Sequence, residues 1–176
     1  MKKATIAIVE TSAQAETIVD ALQRSGFRPL DISAVFPDSR GTQGFAHEKH
    51  TKAPEGAAAG AAGGGLLGGT LGVLAGIGAL AIPGLGPFIA AGPIMAGLSG
   101  IAAGAAVGGL TGTLVGMGIP EVEAKLYEDR LRAGNILIAV HTEDSEMRDR
   151  AVRVFKQLGA KETSTVTEKE GRPHLR

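Results

Sequence analysis

Cysteine and tryptophan are absent from the 176 residues, tyrosine occurs once, and aromatic side chains make up only 3% of the chain. Without cysteine there is no disulfide framework, no thiolate nucleophile and no cysteine-based metal centre. Net charge is missing as well. The 18 basic and 18 acidic residues cancel, which removes any bulk electrostatic attraction toward nucleic acid or anionic substrates. Met1-Lys2-Lys3 is followed by the short apolar run Ala4–Val9 and then Glu10. That run is too short for the core of a signal peptide, so a location in the cytoplasm, or on the cytoplasmic side of a membrane, is the expectation.

The most informative absence is local. No charged residue lies between Gly56 and Pro120, and 21 of the 27 glycines fall inside that stretch. An uncharged Gly/Ala-rich middle therefore separates two charged ends with ordinary globular patterning.

The ends share one grammar. Ala4–Val9 reads as a buried strand, and Thr11 with Gln14 makes a capping box for a helix whose apolar face is Ala15, Ile18, Val19 and Leu22. Gly26 stands where a helix commonly ends. Leu30, Ile32, Ala34 and Phe36 alternate with Asp31, Ser33 and Val35, as in a strand with one well-buried face. After the middle, Asn135–Val140 reads as a strand, Met147, Ala151, Val154, Phe155 and Leu158 as a helix face ending at Gly159, and Glu162–Thr167 as a weaker strand. The pairs Leu22/Gly26 and Phe155/Gly159 share an offset of 133 residues.

Two such halves predict an α+β fold, a split ferredoxin-like (βαββαβ) domain with an inserted Gly/Ala-rich α-helical hairpin. Residues 1–46 and 119–168 form its two halves, 47–55 a juxtamembrane linker, 56–118 the hairpin and 169–176 a polar tail. Each half alone is too small to bury a core, which argues against two independent units.

In the middle, Gly56, Gly60, Gly64, Gly68, Gly72 and Gly76, then Gly92, Ala96, Gly100, Gly104, Gly108, Gly112 and Gly116, recur at intervals of four. On helices these positions stack into a groove for close helix packing. Pro83, Gly84, Gly86 and Pro87 lie in the expected hairpin turn at 82–87. Leu66, Leu67, Leu71, Val73, Leu74 and Ile77 in the first arm, and Leu110, Leu114, Val115 and Met117 in the second, lie mostly off the stripe and are expected to face lipid or a second packing partner. Each arm exceeds the roughly 20 residues needed to cross a bilayer. Each interior glycine also costs about 0.8–1 kcal/mol relative to alanine, so the hairpin needs a membrane or copies of itself for support. A flexible linker and a buried soluble helix pair are the competing expectations. A phosphate loop fails, because no Lys-Ser/Thr follows the glycine runs.

Lys49, Lys52 and Lys125 flank the uncharged stretch and are expected to contact lipid headgroups. His47, Glu48 and His50 are read as part of this polar collar in preference to a metal site. Pro120 opens a helix with apolar face Ala124, Tyr127 and Leu131 that Gly134 ends. Glu121 and Glu123 point to different sides of it, His141 follows a strand, and Ser164 has no base partner nearby in sequence. No catalytic constellation, metal site or cofactor is expected.

The segments around His47–Gly60, Ala81–Pro93 and Gly116–Glu128 resemble bacterial general-stress and low-temperature-induced proteins with a hydrophobic middle. The resemblance implies a stress setting and no reaction. The functional expectation is a non-enzymatic protein that inserts the hairpin into a membrane and homo-oligomerises through it, with membrane lipid and copies of itself as partners. The alternative is a lipid-free self-assembling particle, filament or shell. A third is a ferredoxin-like domain binding a small ligand on its sheet face.

Overall fold

The computed structural model describes residues 3–37, 78–82, 86–94 and 109–167. In chain order these form β1 (Lys3–Val9), α1 (Ser12–Arg24), β2 (Ile32–Pro37), β3 (Gly78–Ile82), β4 (Gly86–Ala91), α2 (Gly109–Gly116), α3 (Glu121–Arg132), β5 (Ile136–Thr142), α4 (Ser145–Gln157) and β6 (Lys161–Thr167). The fold is α+β. All six strands join one antiparallel sheet in the order β3-β4-β2-β5-β1-β6.

Local chemistry sets the helix ends. The Thr11 hydroxyl accepts from Gln14 N–H at 3.2 Å, while the Gln14 side chain returns to Glu10 N–H at 3.2 Å. This capping box is displaced by one residue from the usual form. At the far end Gly26 takes φ +95°, and Phe27 N–H bonds Leu22 C=O, closing the helix as a left-handed residue does. Asp144 caps α4 by accepting from both Glu146 and Met147 N–H. The Gln14 amide also donates to Leu158 C=O at 2.9 Å, tying the start of α1 to the end of α4.

The inner strands β1, β2 and β5 are buried on both faces. Ala15, Ile18, Val19 and Leu22 of α1 and Ala151, Val154 and Phe155 of α4 pack on Ala7, Val9, Ile32, Ala34, Ile136, Ile138 and Val140. On the opposite face, Leu110 and Leu114 of α2 and Ala124, Tyr127 and Leu131 of α3 pack on Ala4, Ile6, Ile8, Val35, Leu137 and Ala139. Strands buried on both sides read as continuous apolar runs, which is the character of β1 and β5. β2 differs from expectation here: Ser33 and Val35 are as buried as Ile32 and Ala34, because α2 and α3 cover the face assumed to be open.

The largest correction concerns the middle of the chain. Residues 78–82 and 86–91 are strands, where the sequence pattern predicts helical arms meeting at 82–87. Gly86 and Pro87 open β4, which carries Phe88 and Ala90 onto one sheet face and Ile89 and Ala91 onto the other. Pairing with β2 supplies the peptide groups with partners, so this part of the uncharged stretch needs no bilayer to satisfy them. Among the described residues no helix is long and apolar enough to cross a membrane. The membrane-spanning helices expected from sequence are corrected accordingly: α2 has eight residues, and β3 and β4 occupy much of the remaining described part of the stretch.

Candidate functional site

Of the sequence-derived stripe, Gly92, Gly112 and Gly116 lie among the described residues. Gly92 ends β4 with φ +78°, and a Cβ there would stand 2.1 Å from Ile32 C=O and 2.8 Å from Ser33 Cα. Its missing side chain permits a close approach between two strands' backbones and does not serve helix packing. Gly112 and Gly116 lie on α2 but on its exposed side. A Cβ at Gly116 would meet nothing within 4 Å. Leu110 and Leu114, expected to face lipid or a partner, are instead fully buried against the sheet. Gly56, Gly60, Gly64, Gly68, Gly72, Gly76, Ala96, Gly100, Gly104 and Gly108, the turn residues Pro83 and Gly84, and Lys49, Lys52, His47, Glu48 and His50 lie outside the described residues. Lys125 is exposed on α3, paired with Glu121 at 2.7 Å.

Three polar clusters that spacing alone did not reveal join separate elements of the fold. In the first, Ser33 of β2 and His141 of β5 share a hydrogen bond of 2.7 Å, and Ile94 N–H donates to Ser33 Oγ at 3.1 Å. Ser33 is completely buried and His141 nearly so. A serine beside an imidazole is a nucleophile-and-base pairing in chemical type, but a substrate has no path to a hydroxyl with no exposed surface. What the pair does is hold the backbone immediately after Gly92. Asp31 lies one residue before β2. The Asp31 carboxyl is held below the usual carboxylate range, chiefly by hydrogen bonds from the Arg28 guanidinium at 2.8 Å.

In the second cluster the Ser164 hydroxyl donates to Glu123 at 2.9 Å, so the Tyr127 hydroxyl, 2.5 Å from Ser164, donates to serine. Burial pushes the Tyr127 phenol up from its ordinary value, the Ser164 hydrogen bond opposes this, and the negative charge of Glu123 adds to it. Glu123 thus finds a partner on β6, distant in sequence. In the third, Glu128 of α3 accepts from both the N–H and hydroxyl of Thr111 while Arg132 donates to its other oxygen at 2.9 Å. A carboxylate over the first turn of α2 meets peptide N–H groups that lack intrahelical partners and the positive end of the helix dipole. Gly118, with φ +99°, and the Ile119 N–H bond to Leu114 C=O then fold α2 back against α3.

Among the described residues no group of three or more His, Cys, Asp or Glu side chains is arranged to hold a metal ion. The sheet face that a small ligand would require is filled by α2 and α3.

The outer side of the α2–α3 pair is different in character. Val122 is 81% exposed, and Val115 and Leu126 are each 39% exposed. Val122 and Leu126 lie one turn apart on α3, so their side chains share a face. The pattern of Ala124, Tyr127 and Leu131 revealed the buried side of α3, and the same pattern read from its other side locates this apolar one. Compared with protein-family models, curated proteins and solved structures, the chain matches none.

Proposed function

We propose that the protein is a non-enzymatic, self-associating protein of the general-stress type, built on a split ferredoxin-like core. In this reading β1-α1-β2 and β5-α4-β6 are the two halves, interleaved as β6-β1-β5-β2, the order that two split βαβ units adopt. The insertion adds β3 and β4 at the β2 edge and α2 over the second face, where α3 of the second half lies beside it.

The observation that carries self-association is the edge strand β3. Its sequence, Gly78-Ala79-Leu80-Ala81-Ile82, has no charge and no proline, and among the described residues it pairs only with β4. Edge strands of soluble proteins usually carry lysine, proline or a bulge that blocks pairing with another chain. β3 has neither charge nor proline to do so, and its outward N–H and C=O groups fit the edge of a second copy. Stacking copies edge to edge extends the sheet and gives those groups partners.

Sedimentation velocity of the full chain over a wide concentration range tests this. Association should rise with concentration and fall in the double variant Ala79→Lys/Ala81→Lys, with circular dichroism confirming that the variant keeps its fold. A chain that stays monomeric at every concentration removes the proposal.

A further inference from the structure

We infer that the α2–α3 outer face is a second self-association surface, on which a second copy docks its own α3 antiparallel across a two-fold axis. This rests on the self-association reading and goes beyond it by placing a second contact on α3, just past the insertion.

Val122 and Leu126, one turn apart on α3, give the face something to bury, since exposed apolar groups rimmed by charge mark interaction surfaces. Charge selects the occupant. α3 has acidic residues, including Glu121, in its first turn and basic residues, including Arg132, in its last. Both side chains are more than half exposed. Antiparallel alignment of two copies brings Glu121 of each toward Arg132 of the other and sets the helix dipoles head to tail. Parallel alignment brings like charges together. The surface is therefore complementary to itself, as a two-fold contact requires. Leu126, near the middle of the helix, falls close to the axis.

Two different two-fold contacts on one chain, through β3 and through α3, build an assembly larger than a dimer. Removing either should leave dimers.

The absence of cysteine makes the test direct. Leu126→Cys introduces a sole thiol close to the proposed axis, and Lys156→Cys places one on exposed α4 as a control. Under mild oxidation at low protein concentration, Leu126→Cys should form a disulfide-linked dimer at least tenfold faster than Lys156→Cys. In parallel, Val122→Glu and Leu126→Glu should each reduce the sedimenting species to a dimer without changing the thermal melt. Equal cross-linking by the two cysteine variants, or an unchanged assembly in both glutamate variants, overturns this inference and leaves association through β3 standing. A wild-type chain that is monomeric at all concentrations overturns both.

Discussion

Two glycines of the uncharged stretch should respond to alanine in opposite directions. Gly92→Ala places a methyl group 2.1 Å from the Ile32 carbonyl oxygen and within 3 Å of two further backbone atoms of β2. Backbone cannot rotate aside as a side-chain tip can, so β4 must part from β2. A non-glycine residue in left-handed conformation costs about 1–2 kcal/mol, and overpacking adds about 1–3 kcal/mol. The lower entropy of the unfolded chain returns about 0.4–1 kcal/mol. The net loss is on the order of 2–4 kcal/mol, a large share of the roughly 5–15 kcal/mol that holds a domain folded. Gly116→Ala has no such neighbour. It should gain about 0.5–1 kcal/mol from better helix propensity. Urea unfolding followed by circular dichroism reads both: with a slope near 2 kcal/mol/M, Gly92→Ala should lower the midpoint by roughly 1–2 M and Gly116→Ala raise it by a few tenths. Equal shifts of the same sign would refute the reasoning, because they would make the two positions equivalent members of one stripe.

Ser33→Ala should destabilise by about 1–3 kcal/mol, since it leaves Ile94 N–H and His141 without a buried partner they now have; faster hydrogen exchange at the Ile94 amide would check it. Tyr127 is the single tyrosine in a chain without tryptophan, so absorbance at 295 nm reports it alone. Its ionisation midpoint should lie above the ordinary value of 10.0. Because the folded-state value is raised, its contribution to stability is complete below the unfolded value and is lost as pH climbs through the folded one; Tyr127→Phe should abolish that alkaline loss. Asp31 behaves oppositely: its carboxyl is depressed by Arg28, so its contribution is complete above the ordinary value of 3.8 and is lost as pH falls through the lower folded value. Arg28→Ala should flatten that acid limb of stability measured by denaturant unfolding.

The charged ends were legible because each element carries its own punctuation. Thr11, Gly26, Gly134 and Gly159 mark ends, and the apolar spacing of α1, α3 and α4 names the residues that are buried. What one half could not reveal was the cover on its second face. Ser33 looked like the polar side of a strand, yet it is buried, with His141 and the Ile94 N–H, both from far along the chain, as its hydrogen-bond partners. The insertion misled for a different reason. Glycine at every fourth position suits close helix packing, but Phe88-Ile89-Ala90-Ala91 is a short apolar run, which periodicity alone cannot assign to helix or strand. Pairing with β2 settles it as strand. Glu123 and Ser164 were unreadable as partners because 41 positions and a change of element separate them.

The interleaved sheet order has a consequence for biosynthesis. β1 and β2 do not touch, and the strand that bridges them is β5, residues 136–142. A ribosome therefore delivers the whole uncharged middle before the nascent polypeptide possesses the strand that joins β1 to β2. For that interval glycine, alanine and leucine are presented to water with no finished scaffold, and long-range strand pairing is slow to form. The last quarter of translation is thus where β1 and β2 first acquire the strand that joins them.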